Sequence, residues 1–525
     1  MKYITNPILR GFNPDPSILR VGDDYYIATS TFEWFPGVQI HHSRDLVNWK
    51  LIAHPLNRVS QLDMKGNPSS GGIWAPCLTY DNGLYYLVYT DVKNLNGIYK
   101  DTHNYLVTAT DIRGEWSEPV YLNSSGFDPS LFHDDDGRKW LVNMLWEYRN
   151  NKNHFTGIVI QEYIADEKCL KGNVTNIFKG TELKVTEGPH LYKLNGYYYL
   201  LTAEGGTGMG HAVTMARSRS IMGPYEVDSQ NPILTSRYDQ ELTLQKAGHA
   251  DIVETQNGEW YMVHLSGRPL PEKNRCVLGR ETCIQKMKWT EDNWLRMEAC
   301  GNKPGVNVPA PDLCEYKFEL EPERDDFDRD ILNINFQSLR IPLDEDILTL
   351  KERPGFLRLK GRESLSSKHC QALIARRQQA FCYSASTCVE FEPESYQQMA
   401  GLICMYDTQN FYYLKISQDE EMGKCLGILT CDNNDFNYPL DTDVCIEGWK
   451  KCFLKVNVEY DRLQFSYSAE GVNWSTIGPV CDASTLSDEY CQEGRFTGAF
   501  IGLCCQDLSG QRKYADFDYF DYVEK

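Results

Sequence analysis

Over roughly the first 300 positions, apolar and aromatic residues come in short runs rather than on one face of long helices, and stretches of helical periodicity are scarce. The runs "DYYIATS", "LYYLVYT", "KWLVNM", "YYYLLTA" and "WYMVHLS" each follow a turn in which Gly stands beside Asp or Asn. A second apolar run precedes each turn, so each pair reads as a β-hairpin. The hairpins are copies of one unit: "NPDPSILRVGDDYYIATS", "IWAPCLTYDNGLYYLVYT", "GFDPSLFHDDDGRKWLVNM", "TEGPHLYKLNGYYYLLTA" and "GHADIVETQNGEWYMVHLS". Aligning them sets Asp15, Ala75, Asp128, Gly188 and Ala250 at one equivalent position, with spacings of 60, 53, 60 and 62 residues. The intervals hold further strand-like sequence, such as "VQIHHSRDLVNWKLI" and "LVTATDIRGEWSEPV". A unit of this length suits a four-stranded blade, and five units predict a five-bladed β-propeller over residues 1–305. A sandwich of unrelated hairpins would not produce the regular spacing.

After Trp294 the pattern dissolves into "CGNKPGVNVPAPDLCEYKFELEPERDDFDRD", whose prolines and charges predict a linker at 306–324. Alternating strands resume in "FLRLKG", "YYLKISQ", "CFLKVNVEYDRLQFSYSAEGVNW" and "ADFDYFDYVE". Residues 325–525 therefore read as an antiparallel β-sandwich, jelly-roll and concanavalin-like, and the whole chain as all-β.

Composition narrows the partners. A net charge of −20 argues against a nucleic-acid ligand, which needs a clustered basic surface. No apolar segment is long enough to span a bilayer, and the N-terminal "MKYITNPILRGFNPDP" has no apolar core of a secretion signal. The 18 Cys include no CxxC pair, and their spacing to His fits no zinc module. Buried, reduced thiols in a cytoplasmic protein are the expectation.

In a propeller the innermost strands line the axis, so equivalent positions of the five copies converge. One step before the aligned position stand Pro14, Trp74, Phe127, Glu187 and His249. The two positions together offer three carboxylates (Asp15, Asp128 and Glu187), two aromatic faces and an imidazole. Singly, an Asp before Pro is a common turn residue and a Trp at a strand head is usually core. Three like charges crowded at the axis are costly unless a function keeps them. Carboxylates facing an aromatic-walled hollow are the equipment for hydrolysing a glycosidic bond, one protonating the departing oxygen and another activating water or attacking the sugar.

The same stretches carry a family resemblance. "NPDPSI", "WAP", "GFDPSLF", "TEGPHLY" and "GHADIVET" resemble, in order, glycoside hydrolases of family 43, in the branch of intracellular β-xylosidases. The resemblance implies an inverting mechanism with Asp15 as general base, Glu187 as general acid and Asp128 as the group that tunes and orients Glu187. It also implies Phe32, Trp74, Phe127, His249 and Arg280 around the sugar. A sandwich loop in "GRFTGAF" would bring Phe496 to the pocket mouth, with Phe500 as the alternative, and would leave a pocket suited to exo-cleavage of xylo-oligosaccharides. No metal or other cofactor is implied; calcium beside His249 is the alternative, without an oxygen-rich loop to support it. The rival activities are α-L-arabinofuranosidase, alone or combined with xylosidase, and a non-catalytic sugar-binding propeller. Neither a nucleic acid nor a membrane is expected as partner, and a homo-oligomer is left open.

Overall fold

The computed structural model describes residues 2–299 and 301–525. Five antiparallel sheets are laid down in chain order, each beginning at the axis. Blade I holds Ser17–Val21, Asp24–Thr29, Gln39–Ser43 and Lys50–Ala53. Blade II holds Gly72–Asp81, Leu84–Asn94, Asp101–Ala109 and Val120–Asn123, and blade III holds Ser130–His133, Lys139–Trp146, Phe155–Ile164 and Cys169–Phe178. Blade IV starts from Glu187–Leu194 and Tyr197–Glu204, and blade V from Gln245–Glu254 and Trp260–Gly267, followed by Arg280–Trp289 and Leu295–Met297. The innermost turns fold as their sequences dictate. In "DNG" and "LNG" the Asn and Gly both take positive φ, Asn82 at 50° with Gly83 at 83° and Asn195 at 49° with Gly196 at 73°. That pair of conformations gives the turn whose twist matches a hairpin's.

Five apolar clusters, one per pair of neighbouring blades, hold the ring. The cluster between blades I and V includes Ile4 and Leu9 as well as Ile18, Tyr25, Val263 and Ile284. The chain's first strand, Tyr3–Thr5, pairs with Asn307–Pro309, so the segment ahead of blade I is laced to the segment that follows blade V.

The C-terminal part is a sandwich of two sheets around its own core. One of these sheets is buried on both faces. Along Gln398–Asp407, Leu402, Cys404 and Tyr406 enter the sandwich core, whereas Ile403 and Met405 face the propeller and join Phe12, Phe32 and Trp34. The strand Phe500–Asp507 divides the same way, Ile501 and Leu503 inward and Phe500 and Cys504 toward the propeller. A short ladder, Ser338 with Phe35 and Leu339 with Trp34, stitches the two parts further. All described cysteines are free thiols, and most are buried.

Candidate active site

The five inner strands are entered through one unusual conformation. Asp15, Ala75, Asp128, Gly188 and His249 all have positive φ, at 54°, 36°, 54°, 55° and 47°. Each is followed by Pro16, Pro76, Pro129, Pro189 or Ala250. The equivalent residue of blade V is therefore His249, not Ala250 as the alignment of the repeats had it. Strand register says the same: Trp74 pairs with Thr90, Glu187 with Ala203 and Gly248 with Leu265, each just before a bulge. With Ala in place of Pro, the fifth copy offered no fixed point for the alignment, and it slipped by one residue. A left-handed residue that is not Gly costs about 1–3 kcal/mol and persists where its surroundings over-determine it, commonly at functional sites. Here it brings Asp15, Asp128 and His249 together at the axis, with Glu187 one step behind.

The ring is complementary in size. Gly188 faces His249, and a Cβ on it would lie 2.8 Å from the ring's Nε2. His249 Nδ1 sits 3.3 Å from Asp15 Oδ1. The same oxygen accepts from Arg280 Nη1 at 3.2 Å, and Asp15 Oδ2 accepts from Ser30 Oγ at 2.7 Å. Among the described residues Asp128 Oδ2 accepts only the Gly188 N–H, at 3.0 Å. The Glu187 carboxyl has no hydrogen-bond partner among the described residues and lines the hollow.

These differences separate the ionisations. Burial would raise Asp15, but Arg280, His249 and Ser30 override it and hold the carboxyl well below the usual range. Burial pushes Asp128 up to about 6. Burial and then the charge of Asp128 push Glu187 up to about 8. His249 goes the other way: burial disfavours its charge, yet the bond to Asp15 and the three carboxylates push it up to about 9. Near neutrality the site thus holds two cations, Arg280 and His249, against ionised Asp15 and Asp128. Glu187 is the group pushed toward its protonated form, by burial first and by the charge of Asp128 second.

Aromatic rings wall the hollow. Phe32 stacks at 6.2 Å on Phe496 of the sandwich, Trp74 meets Phe496 edge-on at 5.7 Å, and Phe127 meets Trp74 edge-on at 5.4 Å. Arg280 lies over the rings of Phe32 and Phe496 and donates through Nη2 to the Phe496 carbonyl at 2.9 Å. Phe500 does not reach the hollow; it stacks on Trp34 in the interface. The pocket of about 950 Å³ gathers Asp15, Phe32, Trp74, Phe127, Asp128, Glu187, His249, Arg280 and Phe496.

Several residues at this site carried no signal in the sequence. Ser70 donates its N–H to Glu33 Oε2 at 3.0 Å, offers its carbonyl to Trp74 Nε1 at 2.8 Å and accepts the Phe496 N–H on Oγ at 3.2 Å. It thereby ties a propeller wall to the sandwich wall. Buried Lys246 is paired with Asp488 and Glu489 of the sandwich. Trp146 and Phe155 extend the aromatic lining outward. Ser30 and Ser70 sit among ordinary turn residues, and nothing local distinguishes them.

Comparison with known proteins agrees with this architecture. A family model described as "Glycosyl hydrolases family 43" matches residues 4–295, and one described as "Beta xylosidase C-terminal Concanavalin A-like domain" matches residues 324–523. The chain is 54% identical to a "Beta-xylosidase" of Bacillus subtilis (strain 168), over 99% of this chain and 100% of that protein. It is 53% identical to "Xylosidase/arabinosidase 43B" of Humicola insolens, over 99% and 98%. Among solved structures, that of xylan beta-1,4-xylosidase from Bacillus halodurans C-125 superposes with a TM-score of 0.98 at 57% identity, covering 99% of this chain and 100% of that one.

Proposed function

The chain belongs to family 43 of the glycosyl hydrolases, and from that membership and the geometry of the axial pocket we propose an inverting, exo-acting β-1,4-xylosidase that releases xylose from the non-reducing end of xylo-oligosaccharides. The observation that carries the reading is three carboxylates held differently within one aromatic-walled pocket: Asp15 by Arg280 and Ser30, Asp128 by the Gly188 N–H, and Glu187 facing the hollow with its ionisation pushed up by burial and by Asp128. The names of the Bacillus relatives supply the sugar and the linkage.

In this reading the terminal xylose packs its C–H faces on Phe32, Trp74, Phe127 and Phe496, and Arg280 and His249 address its hydroxyls. Asp15, fixed from two sides, takes a proton from a water as the water oxygen bonds to the anomeric carbon. Glu187 gives its proton to the glycosidic oxygen as the carbon–oxygen bond breaks, so the leaving chain departs as a neutral alcohol. One displacement leaves the xylose with the α configuration. Solvent then removes the proton from Asp15 and returns one to Glu187. No metal is assigned a part, since His249 directs Nδ1 at Asp15 and the acid and base are both side chains.

The test is proton NMR of xylobiose hydrolysis in its first minutes. α-Xylose is expected to accumulate first; initial β-xylose would overturn the single displacement, and no hydrolysis would overturn the activity. A second activity, on α-L-arabinofuranosides, is favoured by the dual name of the Humicola relative. An aryl arabinofuranoside assayed beside the aryl xyloside decides it.

A further inference from the structure

Beyond Trp146 and Phe155 the pocket opens between two loops. One, residues 95–100, joins the second and third strands of blade II; the other, residues 147–154, joins those of blade III. Leu95, Asn96 and Lys100 of the first loop line the mouth. The first loop is tied to the end of the blade III strand that leads into the second: Trp146 Nε1 donates to the Ile98 carbonyl at 2.9 Å, and Lys100 Nζ lies 4.7 Å over the Trp146 ring. Between these anchors Tyr99 and Tyr148 pair ring to ring at 5.2 Å and 33°, yet remain 60% and 50% exposed. The lip across the pocket is lined by Gln240, Asn274, Gln492 and Arg495.

We propose that Tyr99 and Tyr148 form an outer stacking subsite for the reducing-end xylose units of substrates longer than the disaccharide. This rests on the xylosidase reading above. The inner end of the pocket is walled by Phe32, Trp74 and Phe496, so a bound oligosaccharide leaves only through the mouth. Beyond the first sugar of the leaving group, its next units must cross one lip or the other. A xylose ring exposes C–H faces without a hydroxymethyl arm, and such a face lies flat on an aromatic ring. The paired tyrosines beside the mouth supply two such rings, both exposed. Their pairing and the anchored loops hold the rings in place beforehand, so little side-chain freedom is lost on binding.

The experiment compares kcat/KM on xylobiose and xylotetraose for the full-length wild type, Tyr99→Ala, Tyr148→Ala and the corresponding Phe variants. With either Ala variant, xylotetraose is expected to lose about fivefold, mostly through KM, while xylobiose is unchanged. The Phe variants should behave as wild type, because the ring and not the hydroxyl is used. An equal loss on both substrates, no loss on either, or a loss that Phe does not restore would overturn the subsite. A wild type that leaves xylobiose intact would instead overturn the xylosidase reading, and is told apart by that arm alone.

Discussion

Asp15 and Asp128 occupy equivalent positions with the same backbone conformation, yet their partners give them opposite ionisation behaviour. Three polar groups hold Asp15 as an anion, which suits a base aimed at one water; Asp128, with a single backbone donor, is left to act through its charge on Glu187. Two predictions follow at this scale. Glu187→Ala should cost on the order of 10²–10⁴-fold in kcat on xylobiose, whose alkoxide cannot leave unprotonated, and far less on an aryl xyloside with an acidic phenol. Equal losses on the two substrates would remove Glu187 from the role of acid. Asp128→Asn keeps the shape and deletes the charge that helps push Glu187 up to about 8. With that negative neighbour gone, the Glu187 proton is lost at lower pH, so the basic limb of the kcat/KM profile on xylobiose should move down and activity at pH 7–8 should fall. A basic limb that stays or rises would leave Asp128 only a positioning role. The three carboxylates were legible in the sequence because each adjoins a Pro or Gly-Pro of the repeat. The separation among them was not, because Arg280, His249 and Ser30 reach Asp15 from distant parts of the chain.

At the scale of the strand, the left-handed residue at each blade's head turns a repeated hairpin into a converging ring. The sequence shows the repetition but not the bulge, and in blade V, where Ala250 replaces Pro, the repeat alone does not fix the register that sets His249 at the left-handed position. The fit of Gly188 against His249 makes this testable. Gly188→Ala places a methyl 2.8 Å from the imidazole and strains a residue at φ 55°. His249 must then shift and its contact with Asp15 be disturbed, so kcat on xylobiose should drop by more than about tenfold, with the fold retained by circular dichroism. Unaltered kinetics would show that the imidazole has room that the ring does not reveal. Ser70 gives a second case. Ser70→Ala removes only the acceptor of the Phe496 N–H. A neutral hydrogen bond is worth about 0.5–1.5 kcal/mol, so KM on xylobiose should rise about two- to tenfold at near-constant kcat. A change in kcat at constant KM would contradict a role in shaping the sugar's wall.

For the molecule as a whole, the sequence predicts a sandwich without showing whether it stands apart as a sugar-binding module or braces the propeller, because alternation shows that a strand has two faces without saying what covers each. "GLICMY" and "FIGLCC" are nearly continuous apolar runs, and in the structure both faces of these strands are covered, one by the sandwich core and the other by the propeller. The register ambiguity between Phe496 and Phe500 has the same origin, since each is apolar and only the fold shows that Phe500 lies in the strand and Phe496 in the loop ahead of it. The brace also reaches the chemistry: Phe496 closes the sugar's wall, its carbonyl anchors Arg280, and Arg280 in turn holds Asp15. Removing residues 324–525 should therefore do more than detach a module. Phe12 and Trp34, both fully buried now, would lose their cover, and a newly exposed apolar patch of this kind drives aggregation. Any fraction that stayed soluble would lack one wall of the pocket, and its Arg280 would lack the acceptor that orients it. The expected result is mostly insoluble protein, with residual kcat/KM on xylobiose below about one hundredth of wild type from the misplaced base and open pocket. A soluble truncated chain with full activity would show that the propeller shapes its site alone and that the contacts of Phe496 and Arg280 are incidental to catalysis.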